Sequence, residues 1–362
     1  MTTRLPILLL TVAVPACTSS APPSTVRVLR IEHELSIGGG DDGPTSFGDL
    51  RSFAVDHQGR IYVLEAQAQE VRVFDSGGAY LRTLGRSGAG PGEFQMANGI
   101  ALDPGDRLWV YDPGSSRLTL FDSSRAFNRT YPLHLTGYGY VWLGGIDDQG
   151  RLYDPIDIPR GDSTVSAISR VSLESGRTDT LPFPRCPVPS PPPYRFPRGG
   201  MQVPYGGGPY LRLDPTGFVW CGDTRVVKLS RYRLGDTTTS RLFEATTEPA
   251  PVTPAERDSA IAGVVAFMKQ AGSGTPDYAL IPPTKPVLRR VDPDDQGRVW
   301  VQIEAKQGHH ALIFDSMGVL IAQAALPFHP SPWLPTIIRG NRLYAVTRDS
   351  LDLPSVSRFR IQ

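Results

Sequence analysis

The stretches Asp56-His-Gln-Gly-Arg-Ile-Tyr-Val63 and Asp103-Pro-Gly-Asp-Arg-Leu-Trp-Val110 share one pattern: an Asp and Gly turn, then a strand with an aromatic residue at a fixed place. An Asp side chain can accept hydrogen bonds from its own turn, and Gly supplies a positive φ, so the pattern predicts a tight turn. Further copies are Asp147-Asp-Gln-Gly-Arg-Leu-Tyr-Asp154, Asp214-Pro-Thr-Gly-Phe-Val-Trp-Cys221, Asp294-Asp-Gln-Gly-Arg-Val-Trp-Val301 and a shorter Arg339-Gly-Asn-Arg-Leu-Tyr-Ala345.

Each copy is flanked by further short strands. An apolar strand such as Phe53-Ala-Val55 precedes the turn, and strands such as Val71-Arg-Val-Phe74 and Tyr80-Leu-Arg-Thr-Leu84 follow it. Four strands per repeat, at a spacing of roughly 45 residues, indicate an all-β fold, a six-bladed β-propeller. Within a propeller spanning 26–362, we expect blades over about 50–84, 97–133, 142–182, 209–245, 285–327 and 334–362.

The last blade predicts how the ring closes. Its C-terminal copy has room for only three strands, whereas the segment 26–37 is an unassigned strand ahead of the first blade. Pairing the two would complete the blade and remove an open sheet edge, which is a liability in β proteins. We therefore expect the N-terminal strand to close blade six.

Two insertions interrupt the repeat. The segment Pro182–Pro209 is rich in Pro, Gly, Tyr and Arg and predicts a long irregular loop between blades three and four. Thr253-Pro-Ala-Glu256 supplies an N-cap, a Pro at the first helical position and a capping-box Glu. Apolar residues then follow at helical spacing, at Ile261, Val264, Val265 and Met268. One short inserted helix is therefore predicted between blades four and five.

The N-terminal residues have the features of an export signal. Arg4 precedes an apolar stretch, 5–14, that is too short to span a bilayer, so residues 1–16 are predicted to be a signal peptide. Cys17 directly after Ala16 resembles the lipobox of bacterial lipoproteins. That resemblance implies a lipid on Cys17, with 17–25 as tether, and a place in the cell envelope, at the outer membrane or periplasmic face of a Gram-negative bacterium. The alternative is ordinary cleavage that leaves Cys17 unmodified.

Composition limits the class of partner. Lys and Arg number 37 against 36 Asp and Glu, so no net field attracts nucleic acid or anionic lipid. The 37 Gly and 35 Pro residues are spread along the chain, as expected for many turns between short strands. We expect a monomer that binds no nucleic acid.

The two remaining cysteines, Cys186 and Cys221, are predicted to form a disulfide, because an isolated pair in an exported protein is readily oxidised. Closing that loop would contribute about 3–4 kcal/mol. Two separate buried thiols are the alternative.

The connection between the first two blades resembles a known family. Gly85-Arg-Ser-Gly-Ala-Gly-Pro-Gly-Glu-Phe94, Gly99-Ile-Ala-Leu-Asp103 and Leu108-Trp-Val-Tyr-Asp112 are similar to the NHL-repeat family of six-bladed propellers. The resemblance is strongest in blades one and two. It implies the fold and leaves the activity open, since propellers host unrelated functions.

Acidic residues end the second strand of most blades. These are Glu65, Asp112, Asp223, Glu304 and Asp349. A ring of such acids could bind Ca²⁺ through oxygen ligands, and six-bladed lactonases of the gluconolactonase and paraoxonase type, by resemblance, place a metal there. The alternative is that each acid caps its own turn, because a residue that recurs blade after blade usually has the same structural role.

Other candidate contact residues lie in loops. His309 and His310, beside Glu304, could bind zinc, although adjacent residues of a strand point to opposite faces. Arg86 lies in the Gly-rich connection, where it could contact a ligand. Tyr194, Arg195 and Phe196 lie in the Pro-rich insertion and are candidates for contact with a partner.

The sequence is compatible with two functions. The first is a non-enzymatic cell-envelope propeller that binds a small ligand or a protein, or acts as a scaffold, and this is the hypothesis we favour. The second is a Ca²⁺-dependent lactonase or esterase. The sequence contains no Gly-x-Ser-x-Gly nucleophile motif and firmly implies no cofactor.

Overall fold

A computed structural model of the chain describes residues 26–40, 42–132, 141–142, 144–161, 163–214, 216–238 and 240–362. The predicted signal peptide and Cys17 lie outside the described residues. Within the described part, no helix is both long and apolar enough to cross a membrane.

Six antiparallel sheets form a ring, and within blades one to five the strands follow one another along the chain from the axis outward. Two short strands come first, β1 (Arg27–Leu29) and β2 (Ile31–Gly38). Blade one contains β3 (Leu50–Val55), β4 (Ile61–Glu65), β5 (Glu70–Phe74) and β6 (Tyr80–Leu84). Blade two contains β7 (Gly99–Leu102), β8 (Leu108–Asp112), β9 (Arg117–Phe121) and β10 (Phe127–Pro132). Blade three contains β11 (Gly145–Ile146), β12 (Arg151–Arg160), β13 (Ser163–Ser172) and β14 (Thr178–Pro182).

The second half of the chain repeats this plan with two additions. A hairpin, β15 (Tyr194–Phe196) and β16 (Gly199–Met201), precedes blade four, and a helix, α1 (Pro254–Ala271), follows it. Blade four contains β17 (Pro209–Asp214), β18 (Phe218–Asp223), β19 (Val227–Arg233) and β20 (Ser240–Ala245). Blade five contains β21 (Leu288–Pro293), β22 (Val299–Ala305), β23 (Gly308–Phe314) and β24 (Leu320–Ala325). Blade six contains β25 (Thr336–Arg339), β26 (Arg342–Arg348) and β27 (Pro354–Ile361). The prediction of a six-bladed propeller with one inserted helix is confirmed.

A buried carboxylate organises the turn between the first and second strands of five blades. In blade two, Asp103 Oδ1 accepts hydrogen bonds from the backbone of Gly105 and Arg107, each at 3.0 Å. Its Oδ2 accepts from Arg107 Nε at 2.7 Å and from Trp109 Nε1 at 2.9 Å. The same aromatic donor recurs in the pairs Tyr62–Asp56, Tyr153–Asp147, Trp220–Asp214 and Trp300–Asp294. The aromatic residue of the repeat is therefore the hydrogen-bond partner of the turn carboxylate.

Blade four departs from this pattern because Phe218 occupies the position of the turn arginine. Arg231 from the third strand places its guanidinium 3.7 Å from the centre of the Phe218 ring. Asp214 still accepts hydrogen bonds from Thr216 and Trp220. Burial raises the pKa of Asp214. In blade one, by contrast, hydrogen bonds from Arg60 and Tyr62 outweigh burial and lower the pKa of Asp56.

The N-terminal segment closes the ring, as predicted. Strand β2 pairs antiparallel with β27 and becomes the outer strand of blade six. The structure adds a contact that the sequence pattern did not indicate: β1 pairs parallel with β24, the outer strand of blade five. The first described residues therefore join two neighbouring blades.

One carboxylate reinforces this closure. Glu34 accepts hydrogen bonds from Arg358 at 2.9 Å and Arg360 at 2.6 Å on β27, and lies 3.3 Å from Arg342 on β26. Burial alone would raise the pKa of Glu34, but the three guanidinium groups lower it. The contribution of Glu34 to stability is therefore complete above the ordinary Glu pKa and is lost as the pH falls through the lowered value.

We expect Glu34→Gln to lower the free energy of unfolding at neutral pH by about 1 kcal/mol, because it removes the charge shared by three arginines. Denaturant unfolding at neutral and acidic pH measures this loss, which shrinks once Glu34 of the wild type is protonated. Glu32→Gln is the matched control, since Glu32 accepts one neutral hydrogen bond from Gln362. Equal losses for the two variants at every pH would contradict this assignment.

The two insertions fold together into a cap, defined as residues 183–208 and 246–287. The first insertion, predicted to be an irregular loop, contains the hairpin β15–β16. Tyr194 and Phe196 of this hairpin pack in one apolar cluster with Val264 of α1. The helix begins with the predicted capping box at Thr253 and Glu256.

Among the apolar positions predicted for the helix, Val264 is fully buried but Val265 is exposed. Cys186 and Cys221 form the predicted disulfide, with their Cα atoms 5.7 Å apart. Cys221 lies on β18 and is buried. The disulfide therefore attaches the first part of the cap to blade four.

Candidate functional site

The inner strands of all six blades surround a cavity of about 360 Å³ on the axis of the ring. Most of its wall is apolar, from residues such as Val55, Leu102 and Ile146. Charged side chains also line it, and blades four and five contribute three of them from the middle of their inner strands: Arg212 on β17, and Arg290 and Asp292 on β21. We call this cavity the central channel.

Arg290 and Asp292 form an ion pair inside the wall. Arg290 is only 2% exposed, and its Nε donates to both carboxylate oxygens of Asp292, at 2.7 and 2.8 Å. Gln302, on the neighbouring strand, donates to Asp292 Oδ2 at 2.8 Å. Arg290 Nη1 and Gln302 Oε1 are buried without a partner among the described residues. Burial, together with the neighbouring charge of Arg212, lowers the pKa of Arg290.

Arg212 is half-buried and is less constrained than Arg290. Its Nη1 lies 3.4 Å from the carbonyl oxygen of Pro332, and no described carboxylate lies within ion-pair distance of it. Arg51, which also lines the channel, is instead paired with Asp49 at 2.8 Å. The middle of the channel therefore presents two guanidinium groups and one carboxylate.

Two tryptophans add aromatic surface to the wall. Trp333 is 61% exposed. Trp142 stacks on Tyr111 with ring centres 5.1 Å apart, and its Nε1 donates to Asp154 Oδ1 at 3.1 Å. Tyr111 donates to the other oxygen of Asp154 at 3.0 Å. Asp154 is therefore the residue that positions Trp142 in the channel.

Asp154 has two donors and no ion pair among the described residues. Burial raises the pKa of Asp154 to about 6. Its ionisation in the folded protein is therefore unfavourable relative to the unfolded chain. Because the folded pKa lies above the ordinary value of 3.8, stability from this group falls as the pH rises from about 4 to about 6.

We expect Asp154→Asn to gain stability relative to the wild type as the pH rises from about 4 to about 7, by up to about 3 kcal/mol. The physical reason is that the variant has no buried carboxyl group to ionise. Denaturant unfolding of both proteins across this range measures the difference. Asp179→Asn on the same blade is the control, because hydrogen bonding to Arg170 lowers the pKa of Asp179. Its stability relative to the wild type should therefore change with pH in the opposite direction. A pH-independent difference between Asp154→Asn and the wild type would contradict the assignment.

Three of the repeated acids accept hydrogen bonds from backbone N–H groups of loops in the structure. Glu65 accepts hydrogen bonds from the backbone N–H groups of Gly48, Asp49 and Ala68. Asp112 accepts from the backbone of Gln95, Met96 and Ser115. Asp349 accepts from the backbone of Leu351 and Leu353. These three side chains are turn caps.

The other two acids are paired with basic side chains. Asp223 bonds to Arg225, two residues later. Glu304 pairs with Lys285 at 2.9 Å and with Arg289. In the part of the chain that the structure describes, no group of three or more His, Cys, Asp or Glu residues is arranged to hold a metal ion.

The candidate histidines do not meet Glu304 in such a cluster. His309 contacts the ring of His329, with centres 4.3 Å apart, and burial followed by that neighbour lowers the pKa of His309. His310 Nδ1 lies 3.1 Å from the carbonyl oxygen of Gly308. The closeness of His309 and His329 was not indicated by the sequence, because they lie on different elements.

The remaining candidate contact residues lie away from the channel. Arg86 is exposed and paired with Glu93 at 2.6 Å. Tyr194 and Phe196 are buried in the cap, where Tyr194 donates to the carbonyl oxygen of Asp277 at 2.9 Å. Arg195, between them, is exposed. The structure thus leaves only Arg195 of these three on the surface.

A second cavity, of about 320 Å³, lies between the cap and the adjoining loops of blades four and five. Pro191, Val203, Tyr205 and Pro282 contribute to its wall. Its basic residues are already paired, Arg225 with Asp223 and Lys285 with Glu256 and Glu304.

The channel residues were missed by sequence reasoning, although a signal was present. In blades one and two the residue two before the turn Asp is alanine, Ala54 and Ala101. Blades four and five have Arg212 and Asp292 at that position. A charged residue in an otherwise apolar inner strand is the signal that could have located the site.

Comparisons with known proteins agree with this architecture. Residues 51–141 match the DUF5128 family model, described as a 6-bladed beta-propeller. A search of curated proteins returned no match.

Solved structures match nearly the whole chain at low identity. One is a member of the DUF4221 family from Bacteroides vulgatus, 12% identical, with a TM-score of 0.56 over 92% of this chain and 98% of that one. Another is a putative exported protein from Bacteroides fragilis, 11% identical, with a TM-score of 0.50 over 95% and 98%. Similarity at these identities shows the fold alone, and the chain is a six-bladed β-propeller.

Proposed function

We propose that the protein is an exported, non-enzymatic binding module that holds a small molecule in the central channel. The observation that carries this proposal is the channel itself, which combines a mostly apolar wall with two guanidinium groups, Arg290 with Nη1 unpartnered among the described residues and Arg212 with one long hydrogen bond. Ligand sites usually have this composition, with volumes of about 300–1,000 Å³. The cavity of about 360 Å³ falls within that range.

The contacts of the acids favour binding over a Ca²⁺-dependent lactonase. Calcium takes six to eight oxygen ligands, roughly, including several carboxylates. Glu65, Asp112 and Asp349 already accept hydrogen bonds from backbone N–H groups, and Asp223 and Glu304 are paired with basic side chains. Their oxygens are committed to these contacts, and the structure does not bring the five side chains together.

Export and anchoring are part of the same proposal. The disulfide between Cys186 and Cys221 supports an oxidising compartment. We place the mature protein in the cell envelope, as a monomer held by a lipid on Cys17. Its nearly balanced charge supports a partner other than nucleic acid.

A channel-filling substitution tests the binding function. Ala101 lies on the inner strand β7 and lines the channel, so Ala101→Trp should fill part of the cavity. Ala89→Trp is the matched control, since Ala89 is exposed in the connection between blades one and two. Each protein is incubated with the small-molecule fraction of an envelope extract, washed, and analysed by mass spectrometry. We expect the wild type and Ala89→Trp to retain one compound stoichiometrically and Ala101→Trp to lose it.

Retention of the same compound by a folded Ala101→Trp variant would contradict the proposal, as would failure of the wild type to retain any compound. Circular dichroism and the melting temperature establish that the variants are folded. Stoichiometric Ca²⁺ together with lactone hydrolysis by the wild type would overturn the binding function in favour of the enzyme.

We expect Cys17→Ala to release the protein from the membrane fraction into the soluble fraction, because the substitution removes the thiol that would carry the lipid. Fractionation and the mass of the mature N-terminal peptide measure this change. Ser19→Ala is the control and should remain with the membrane. Membrane association of Cys17→Ala equal to that of the wild type would refute lipid anchoring.

A further inference from the structure

We infer that the central channel binds an organic acid, whose oxyanion lies between Arg212 and Arg290. This inference rests on the proposed binding function and adds the chemical class of the ligand. Three features of the described residues support it: an excess of guanidinium groups in mid-channel, a buried donor without an acceptor, and an apolar wall beside them.

The first feature is the balance of charge in the middle of the channel. Asp292 is the carboxylate there, and both of its oxygens accept from Arg290 Nε. Arg212 has only the carbonyl oxygen of Pro332 as an acceptor, at 3.4 Å. Asp292 therefore pairs with Arg290, and Arg212 has no carboxylate partner among the described residues, so the oxyanion of a ligand would supply one.

The second feature is an unused donor of Arg290. Arg290 is 98% buried and donates to Asp292 through Nε, yet its Nη1 is buried without an acceptor among the described residues. Buried guanidinium N–H groups nearly always have partners, and an unsatisfied one calls for an explanation. A planar carboxylate or a phosphate matches the fork of donors that guanidinium groups present.

The acidic residues of the channel do not offer an equivalent site for a cation. Asp214 and Asp294 accept hydrogen bonds from their own turns and from Trp220 and Trp300. Asp295 accepts from the backbone of Gly340 at 2.8 Å. The channel therefore has a buried donor without an acceptor at Arg290 Nη1, whereas each of these carboxylates accepts at least one hydrogen bond.

The third feature indicates an organic ligand over a simple inorganic ion. Trp142 and Trp333 line the same cavity as the two arginines, together with aliphatic residues of the inner strands. An inorganic anion would contact the guanidinium groups and leave these aromatic faces uncovered. An acid with a ring or an apolar body would bury both parts of the site.

Binding of three related probes tests this inference at constant ionic strength. Benzoate carries a carboxylate on a phenyl ring and phenyl phosphate carries a phosphate on the same kind of ring. Benzyl alcohol is the neutral counterpart. Isothermal titration calorimetry measures the affinity of each probe for the wild type. We expect saturable binding of at least one acid, with benzyl alcohol at least about tenfold weaker, since a hydrogen bond to a charged group is lost.

Variants test whether the acid binds at the two channel arginines. Arg212→Gln removes a charge that has no carboxylate partner among the described residues, so the fold should tolerate it. We expect this variant to bind the acid about tenfold or more weakly than the wild type. Arg233→Gln on the same blade is the control, because Arg233 is exposed and lies outside the channel. It should leave the affinity unchanged. The double variant Arg290→Gln, Asp292→Asn tests the second arginine without leaving a buried unpaired charge.

Equal affinities of the wild type and Arg212→Gln for the acid would overturn the inference, as would benzyl alcohol binding as tightly as the acids. Failure of both acids to bind the wild type would also overturn it. These results are distinct from failure of the proposed function. A neutral compound retained by the wild type and lost from Ala101→Trp would leave the binding function standing and refute the acid.

Discussion

The buried carboxylate at the first turn of a blade is the interaction on which the rest of this structure depends. Removing a carboxylate from water is unfavourable unless its oxygens are fully hydrogen-bonded. In blades one, two, three and five the turn backbone, an arginine four residues later and an aromatic residue six residues later all donate to it. The need to hydrogen-bond this carboxylate fixes the register in which the first two strands of a blade pair. It therefore also fixes the position of the first, inner strand along the channel.

Neighbouring blades are joined through the same groups. Arg125 of blade two reaches back to Asp56 of blade one at 3.2 Å and also donates to Tyr62. Glu34 joins the N-terminal strand to blade six in a similar way, through its three arginines. With neighbouring strands and blades held by such contacts, an inner-strand position can carry a charge that has no carboxylate partner among the described residues. Arg212 is the clearest case.

The fold could be predicted from the sequence because its determinants are local and repeated. The turn Asp, the aromatic six residues later and the helix cap at Thr253 each lie within one short segment. The cap and the channel could not be predicted in this way, since Tyr194 meets Val264 across a whole blade. The repeated acids were conspicuous in the sequence and turned out to cap turns or pair with basic residues, whereas the channel arginines occur once each and are marked only by being charged residues in inner strands.

We have inferred that an organic acid binds in the channel between two guanidinium groups. A crystal structure of the protein with 4-bromobenzoate tests it most directly, because the anomalous signal of bromine locates the ligand independently of its shape. We expect a bromine peak in the channel, with the carboxylate within hydrogen-bonding distance of Arg212 and Arg290. Bromine peaks confined to other sites, or a carboxylate that points away from both arginines, would contradict it.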